Sequence, residues 1–135
     1  MPYRFEYDRK HKILLAIAWG EFGDDEQRRI INDIRKIASA LGARAGIGDV
    51  SAVTAYRVSP AVMQSVARGP SPYGAGVPRY LVAPSDIAFG MSRLYQMAGE
   101  KTGGQLRVVR SRDDALEELG ARDAQFEPVD AASPA

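Results

Sequence analysis

Apolar and polar positions alternate over residues 3–7 (YRFEY), break at the polar run DRKHK (8–12), and give way to a nearly unbroken apolar stretch, ILLAIAW (13–19). Alternation marks a strand with one wet face, and continuous apolarity marks a strand covered on both faces. The two runs therefore predict a β-hairpin whose second strand lies inside a sheet. The period then lengthens. Ile30, Ile31, Ile34, Ile37, Ala38 and Leu41 recur at helical spacing, and Gly42 follows as the stop. Asp24 reads as the cap of this helix, Asp25 and Glu26 suit the positive end of its dipole, and Gln27 stands at the capping-box position.

Downstream the two periods keep alternating. VSAVTAYRV (50–58) predicts a strand, and Ser59-Pro60 starts a short helix with a hydroxyl cap and a proline in the first turn. A proline- and glycine-rich loop (68–78) leads to the strand RYLVA (79–83), and a helix follows from Ser85 or Asp86 to about Lys101. GQLRVVRS (104–111) predicts a strand, and Ser111 with Asp114 forms a capping box before ALEEL and Gly120. Residues 121–135 are small and polar, and the expectation for them is a frayed tail. The order β-β-α-β-α-β-α-β-α predicts an α/β domain over residues 1–120. About five strands form a mostly parallel sheet with an antiparallel N-terminal hairpin, and four helices pack on it.

Composition narrows the chemistry. A formal charge of +1 supplies no pull toward nucleic acid. The absence of cysteine removes disulfides and thiolate chemistry and fits a cytoplasmic address. The run 13–19 is too short to span a bilayer, and the charged N-terminus lacks the apolar core of a signal peptide. His11, the single histidine, falls in the hairpin turn and is expected to be solvated. A Ser-His-acid triad or a two-histidine metal site is not expected, so no catalytic residue, metal or cofactor is assigned. Asp49 and Ser51, two apart on a strand, are placed to share a hydrogen bond. Gly74 and Gly76 lack the remainder of a nucleotide-binding fingerprint and precede a strand, so their loop reads as structural.

Two groups of residues are candidates for binding. From Val50 to Ser85 the chain has no acidic residue but carries Arg57, Arg68 and Arg79. With Ser59 at a helix N-terminus, these residues form a candidate anion or ligand site. In the 85–100 helix, Ile87, Met91, Leu94 and Ala98 form the expected core stripe, with Gly90 at its edge for close backbone packing. Phe89, Arg93 and Gln96 fall on the opposite stripe and are candidate interface residues.

The segment APSDIAFGMSRLYQMAGE, followed by LRVVRSRDDALEELG, resembles the closing half of a STAS-type domain, the fold of the bacterial anti-sigma-factor antagonists. More narrowly, it is similar to small single-domain bacterial proteins of that fold grouped near the CRAL-TRIO lipid-binding domains, and GDVSAVTAY (48–56) is similar to their middle strand. The resemblance covers nearly all of residues 3–120. It implies a non-enzymatic regulatory or protein-interaction domain, acting through a surface that includes the 85–100 helix, with a protein partner or a second copy in a homodimer. The alternative it implies is a carrier or sensor that binds a small anionic or amphipathic ligand under the 68–78 loop. Anti-sigma-factor antagonists carry a phosphorylatable serine at the start of the helix after the middle strand, where this chain has Ser59. The usual setting of that serine is Asp-Ser-x-Gly, and its aspartate and glycine are missing here, where the chain reads Arg57-Val58-Ser59-Pro60.

Overall fold

The computed structural model describes residues 2–86, 90, 93, 96–97 and 106–134. The opening hairpin forms as the pattern predicts, with β1 at Tyr3–Asp8 and β2 at Ile13–Gly23 paired antiparallel. The Asp8 carboxylate accepts the N–H of His11 at 3.0 Å, and Lys12 takes a positive φ of 57° to close the turn. α1 (Asp24–Leu41) follows, then β3 (Ala45–Arg57), α2 (Pro60–Arg68) and β4 (Arg79–Val82). Asp86, Gly90, Arg93, Gln96 and Met97 are helical. β5 (Leu106–Val109), α3 (Arg112–Glu118) and β6 (Glu127–Val129) complete the described chain.

Among the described residues the strands form one six-stranded sheet in the order β5-β4-β3-β2-β1-β6. β2 to β5 run parallel, and β1 is antiparallel to both of its neighbours. Ile13 to Ala18 are all buried because β2 lies mid-sheet with cover on both faces. On one face Leu14, Ala16 and Ala18 pack under Ile30, Ile34 and Ile37 of α1 and Val62 and Met63 of α2. On the other, Ile13, Leu15, Ile17 and Ile47 pack under Ala115 of α3 and Ala121. The predicted α1 stripe holds at Ile30, Ile34, Ile37 and Ala38, while Ile31 and Leu41 are only partly covered.

Several expectations need correction. The N-cap of α1 is Gly23, whose N–H donates to Glu26 Oε1 at 2.9 Å. Asp24 lies inside the first turn instead, and its carboxylate accepts the N–H of Ser59 at 2.6 Å. β3 begins at Ala45, five residues before the predicted start, and it is this overlooked part, 46–49, that pairs with β4. Two glycines made 45–49 look like a loop, but on this face they make room for side chains of neighbouring segments.

The tail is not frayed. α3 ends with Gly120 at a φ of 65° and a 2.8 Å bond from Ala121 N–H to the Leu116 carbonyl, a Schellman closure that turns the chain back toward the sheet. β6 then pairs with Phe5, Glu6 and Tyr7 and covers the edge of β1. The buried Asp8 carboxylate also accepts the Gln125 N–H at 3.1 Å. His11 is not simply solvated either. Its Nε2 lies 2.8 Å from Asp123 Oδ1, and Lys10 pairs with the same carboxylate. These two partners, Lys10 foremost, hold the Asp123 carboxyl down at about 2.

Candidate functional site

A cleft of about 80 Å³ opens between α1 and the sheet face that α1 covers. Its floor is β3, where Gly46 and Gly48 present no side chain, and its roof includes Ile30, Ile31 and Ile34. Across the sheet Leu81 and Leu106 close it, with Met63 of α2. The lining is mainly apolar. At one end the Tyr56 hydroxyl donates to Gln27 Oε1 at 3.2 Å, and Gln27 is 9% exposed. At the other end stand Tyr73 and Arg79.

Tyr73 comes from the 68–78 loop, which the sequence marks only as proline- and glycine-rich. Gly74 and Gly76 have φ values of 95° and 79°, the left-handed conformations that turn the chain back toward β4. The Tyr73 ring seats on Gly46, where any Cβ would overlap its ring carbons and hydroxyl. Arg79 pairs in register with Gly46, and its guanidinium carbon lies 5.9 Å from the Tyr73 ring centroid. Gly46 thus has a definite structural reason, and Gly48 has a milder one: a Cβ there would stand 3.0 Å from Leu81 Cδ2.

The four residues of the expected anion site do not converge. Arg57 ends β3 eleven residues after Gly46, which is roughly 35 Å along an extended strand. Arg79 is level with Gly46 at the opposite end of the sheet. Ser59 sits with Arg57 as the N-cap of α2, accepting the Val62 N–H at 3.3 Å. α2 returns only about 13 Å before Arg68. Arg57 pairs with Glu21 at 3.4 Å, and both side chains are 72% exposed. The N-terminus of α2 already has an anion beside it, the Asp24 carboxylate.

Asp49 and Ser51 do share a hydrogen bond, and a third residue joins them. Asp49 is buried at a bulge of β3, and its carboxylate accepts the Ser51 N–H at 2.9 Å and the Ser51 hydroxyl at 2.5 Å. Arg112 Nε, from the first residue of α3, lies 2.5 Å from the other oxygen. Burial pushes the Asp49 carboxyl upward, but the bonds from Ser51 and the Arg112 guanidinium outweigh it, and the group is held below the ordinary carboxylate range. This cluster ties α3 to the sheet on the face away from the cleft.

In the 85–100 segment, Arg93 is exposed and donates to Gln96 Oε1 at 2.6 Å. Gln96 does not point freely to water: its Nε2 donates to the Leu106 carbonyl at 2.6 Å. Met97 is 55% exposed. Gly90 is exposed, and a Cβ there meets nothing within 4 Å, which overturns the close-packing reading. Phe89 and the stripe of Ile87, Met91, Leu94 and Ala98 lie outside the described residues. No group of three or more His, Asp or Glu side chains suited to a metal ion occurs among the described residues, and no helix there is long and apolar enough to cross a membrane.

Gln27, Tyr56, Tyr73 and Arg112 were not singled out from the sequence. Gln27 was noted only for capping, and nothing in one sequence pairs it with Tyr56. The usable signal for Tyr73 was the Gly-x-Gly of 46–48 inside an otherwise apolar segment, which marks a place where another group approaches the strand.

No protein-family model matches the sequence, and no curated protein sequence matches it. The architecture does have a solved counterpart. The chain superposes on the anti-sigma factor antagonist SpoIIAA in its unphosphorylated form with a TM-score of 0.57, at 12% identity, over 87% of this chain and 97% of that one. The likeness is one of architecture, and this chain has the STAS fold of the anti-sigma factor antagonists.

Proposed function

We propose that this chain is a regulatory protein-interaction domain of STAS type, working by binding a protein partner. The observation that carries this reading is the superposition on an anti-sigma factor antagonist over 87% of this chain. The surface we assign to the partner includes the 85–100 helix, where Arg93 and Met97 are exposed. An arginine beside a flexible apolar side chain suits an interface, since each supplies contact area and the guanidinium adds directional bonds. Phe89 belongs to the same proposal on sequence spacing. The absence of cysteine accords with a cytoplasmic address.

The test is quantitative co-purification of partner proteins from the source cells with wild-type chain, Arg93→Glu and Met97→Asp. The proposal expects at least a tenfold loss of one partner with either variant while the melting temperature stays within about 2 °C of wild type, as is usual for surface changes. Equal recovery of the partner with all three chains would move the interface elsewhere.

A second reading is favoured by the cleft. Tyr73 of the 68–78 loop is among its lining residues, and the lining is apolar with few polar groups, which suits a small amphipathic ligand. On this reading the domain carries or senses a small molecule, and occupancy of the cleft adjusts the surface offered to the partner.

A further inference from the structure

The charged groups around the cleft are engaged. Arg79 and Tyr73 lie against each other at one end. The Asp49 carboxylate turns to Ser51 and Arg112 on the other face of the sheet, where Tyr80 also packs. Gln27 differs. It stands one helical turn before Ile30 and Ile31 and two before Ile34, on the stripe of α1 that roofs the cleft. Its Oε1 accepts the Tyr56 hydroxyl at 3.2 Å, and its Nε2 donates to no group among the described residues. The residue is only 9% exposed, yet no described side-chain nitrogen or oxygen sealed from solvent lacks a partner. The Nε2 hydrogens therefore reach open space, and the open space at Gln27 is the cleft.

Resting on the carrier reading, we propose that the cleft takes a compact neutral carbonyl compound, the size of a three-carbon ketone or aldehyde. Its carbonyl oxygen accepts from Gln27 Nε2, and its carbon body lies between the isoleucines and the glycine floor. The size follows from the volume. About 80 Å³ is roughly half the ~150 Å³ of a cavity that holds benzene, so roughly three or four non-hydrogen atoms fit. The neutrality follows from the lining, because no charge there is left to compensate an ion for its lost water. The carbons gain by leaving water, and the carbonyl keeps a hydrogen bond that the apolar interior otherwise denies it. The Tyr56 contact holds the Gln27 amide in place, so little side-chain freedom is lost when a guest arrives.

The test is titration of the full chain with acetone and with its hydrocarbon isostere isobutene, followed in proton–nitrogen NMR spectra, alongside Gln27→Met and Ile31→Trp. Both probes are expected to shift the Gly46 and Gly48 backbone amides saturably, with acetone binding in the millimolar range for so few atoms. In wild type, acetone should also move the Gln27 side-chain amide protons downfield, and isobutene should not. Gln27→Met should weaken acetone at least fivefold and leave isobutene within twofold. Ile31→Trp, which fills the cleft from its half-exposed rim beside Gln27, should abolish both. If acetone binds without moving the Gln27 side-chain amide, or Gln27→Met changes the two probes alike, the carbonyl assignment is overturned and the carrier reading stands. If neither probe shifts the wild-type glycine amides, or binding survives Ile31→Trp, the cleft is not a ligand site and the carrier reading falls with it.

Discussion

Gly46→Ala is the substitution with the clearest structural consequence. A methyl group there falls inside the Tyr73 ring, so either the ring leaves or the surroundings strain. Keeping the ring in place is an overpacking problem worth about 1–3 kcal/mol. Releasing it forfeits the burial of a half-covered aromatic, about 1 kcal/mol, and its contact with Arg79, about 0.5–1 kcal/mol. Against either cost, replacing glycine in a strand interior recovers about 0.5–1 kcal/mol. The net loss expected is about 1 kcal/mol, or a few degrees in melting temperature for a domain of this size. In a Tyr73→Ala background the obstruction is gone, and the same change should stabilise by about 0.5–1 kcal/mol. Urea or thermal denaturation of the four chains in this cycle reads the change of sign directly. Destabilisation by the same amount in both backgrounds would show that Tyr73 is not the group seated on Gly46.

Removing residues 121–135 is expected to cost roughly 2–4 kcal/mol, since it uncovers β1 and leaves the buried Asp8 carboxylate without the Gln125 N–H; an unchanged urea midpoint would mean that the segment is not docked. Ser59→Asp keeps a good cap but sets a second carboxylate beside Asp24, and it should lower stability by about 1–2 kcal/mol in a way that Asp24→Asn relieves; no relief in the double variant would contradict the contact. Arg112→Met removes the cation from buried Asp49, whose lowered carboxyl gives stability that is present above its unfolded value and lost as pH falls through the folded one. The variant should be less stable near neutral pH and should shift the Asp49 titration upward by NMR, and an unmoved titration would refute the pairing. Gly90→Ala should stabilise by about 1 kcal/mol, because the position is helical and open, and destabilisation in a thermal melt would restore the close-packing view.

Sequence periodicity carried most of the fold. The isoleucine spacing located α1, the apolar run located β2, and Ser59-Pro60 and Ser111 marked helix starts that the structure keeps. What failed were places where a residue's role depends on a distant segment. Asp24 looked like a cap because local capping chemistry was the available explanation, whereas its carboxylate serves Ser59, thirty-five residues away. Gly46 and Gly48 hid the start of β3 because glycine weakens local strand signals whatever its tertiary reason. The tail looked frayed because β6 has only three residues and is polar outward, so its evidence lies in β1 and Asp8. The arginine cluster was a cluster in sequence only. A long strand and a short helix carry Arg57 and Ser59 far from Arg79.

Native mass spectrometry of the chain isolated under mild conditions from its source cells tests the proposed role most directly. The account predicts a complex of the chain with a protein partner, present for wild type and lost for Arg93→Glu while the variant remains folded. A wild-type spectrum that holds only the bare chain, identical to that of the variant, would contradict it.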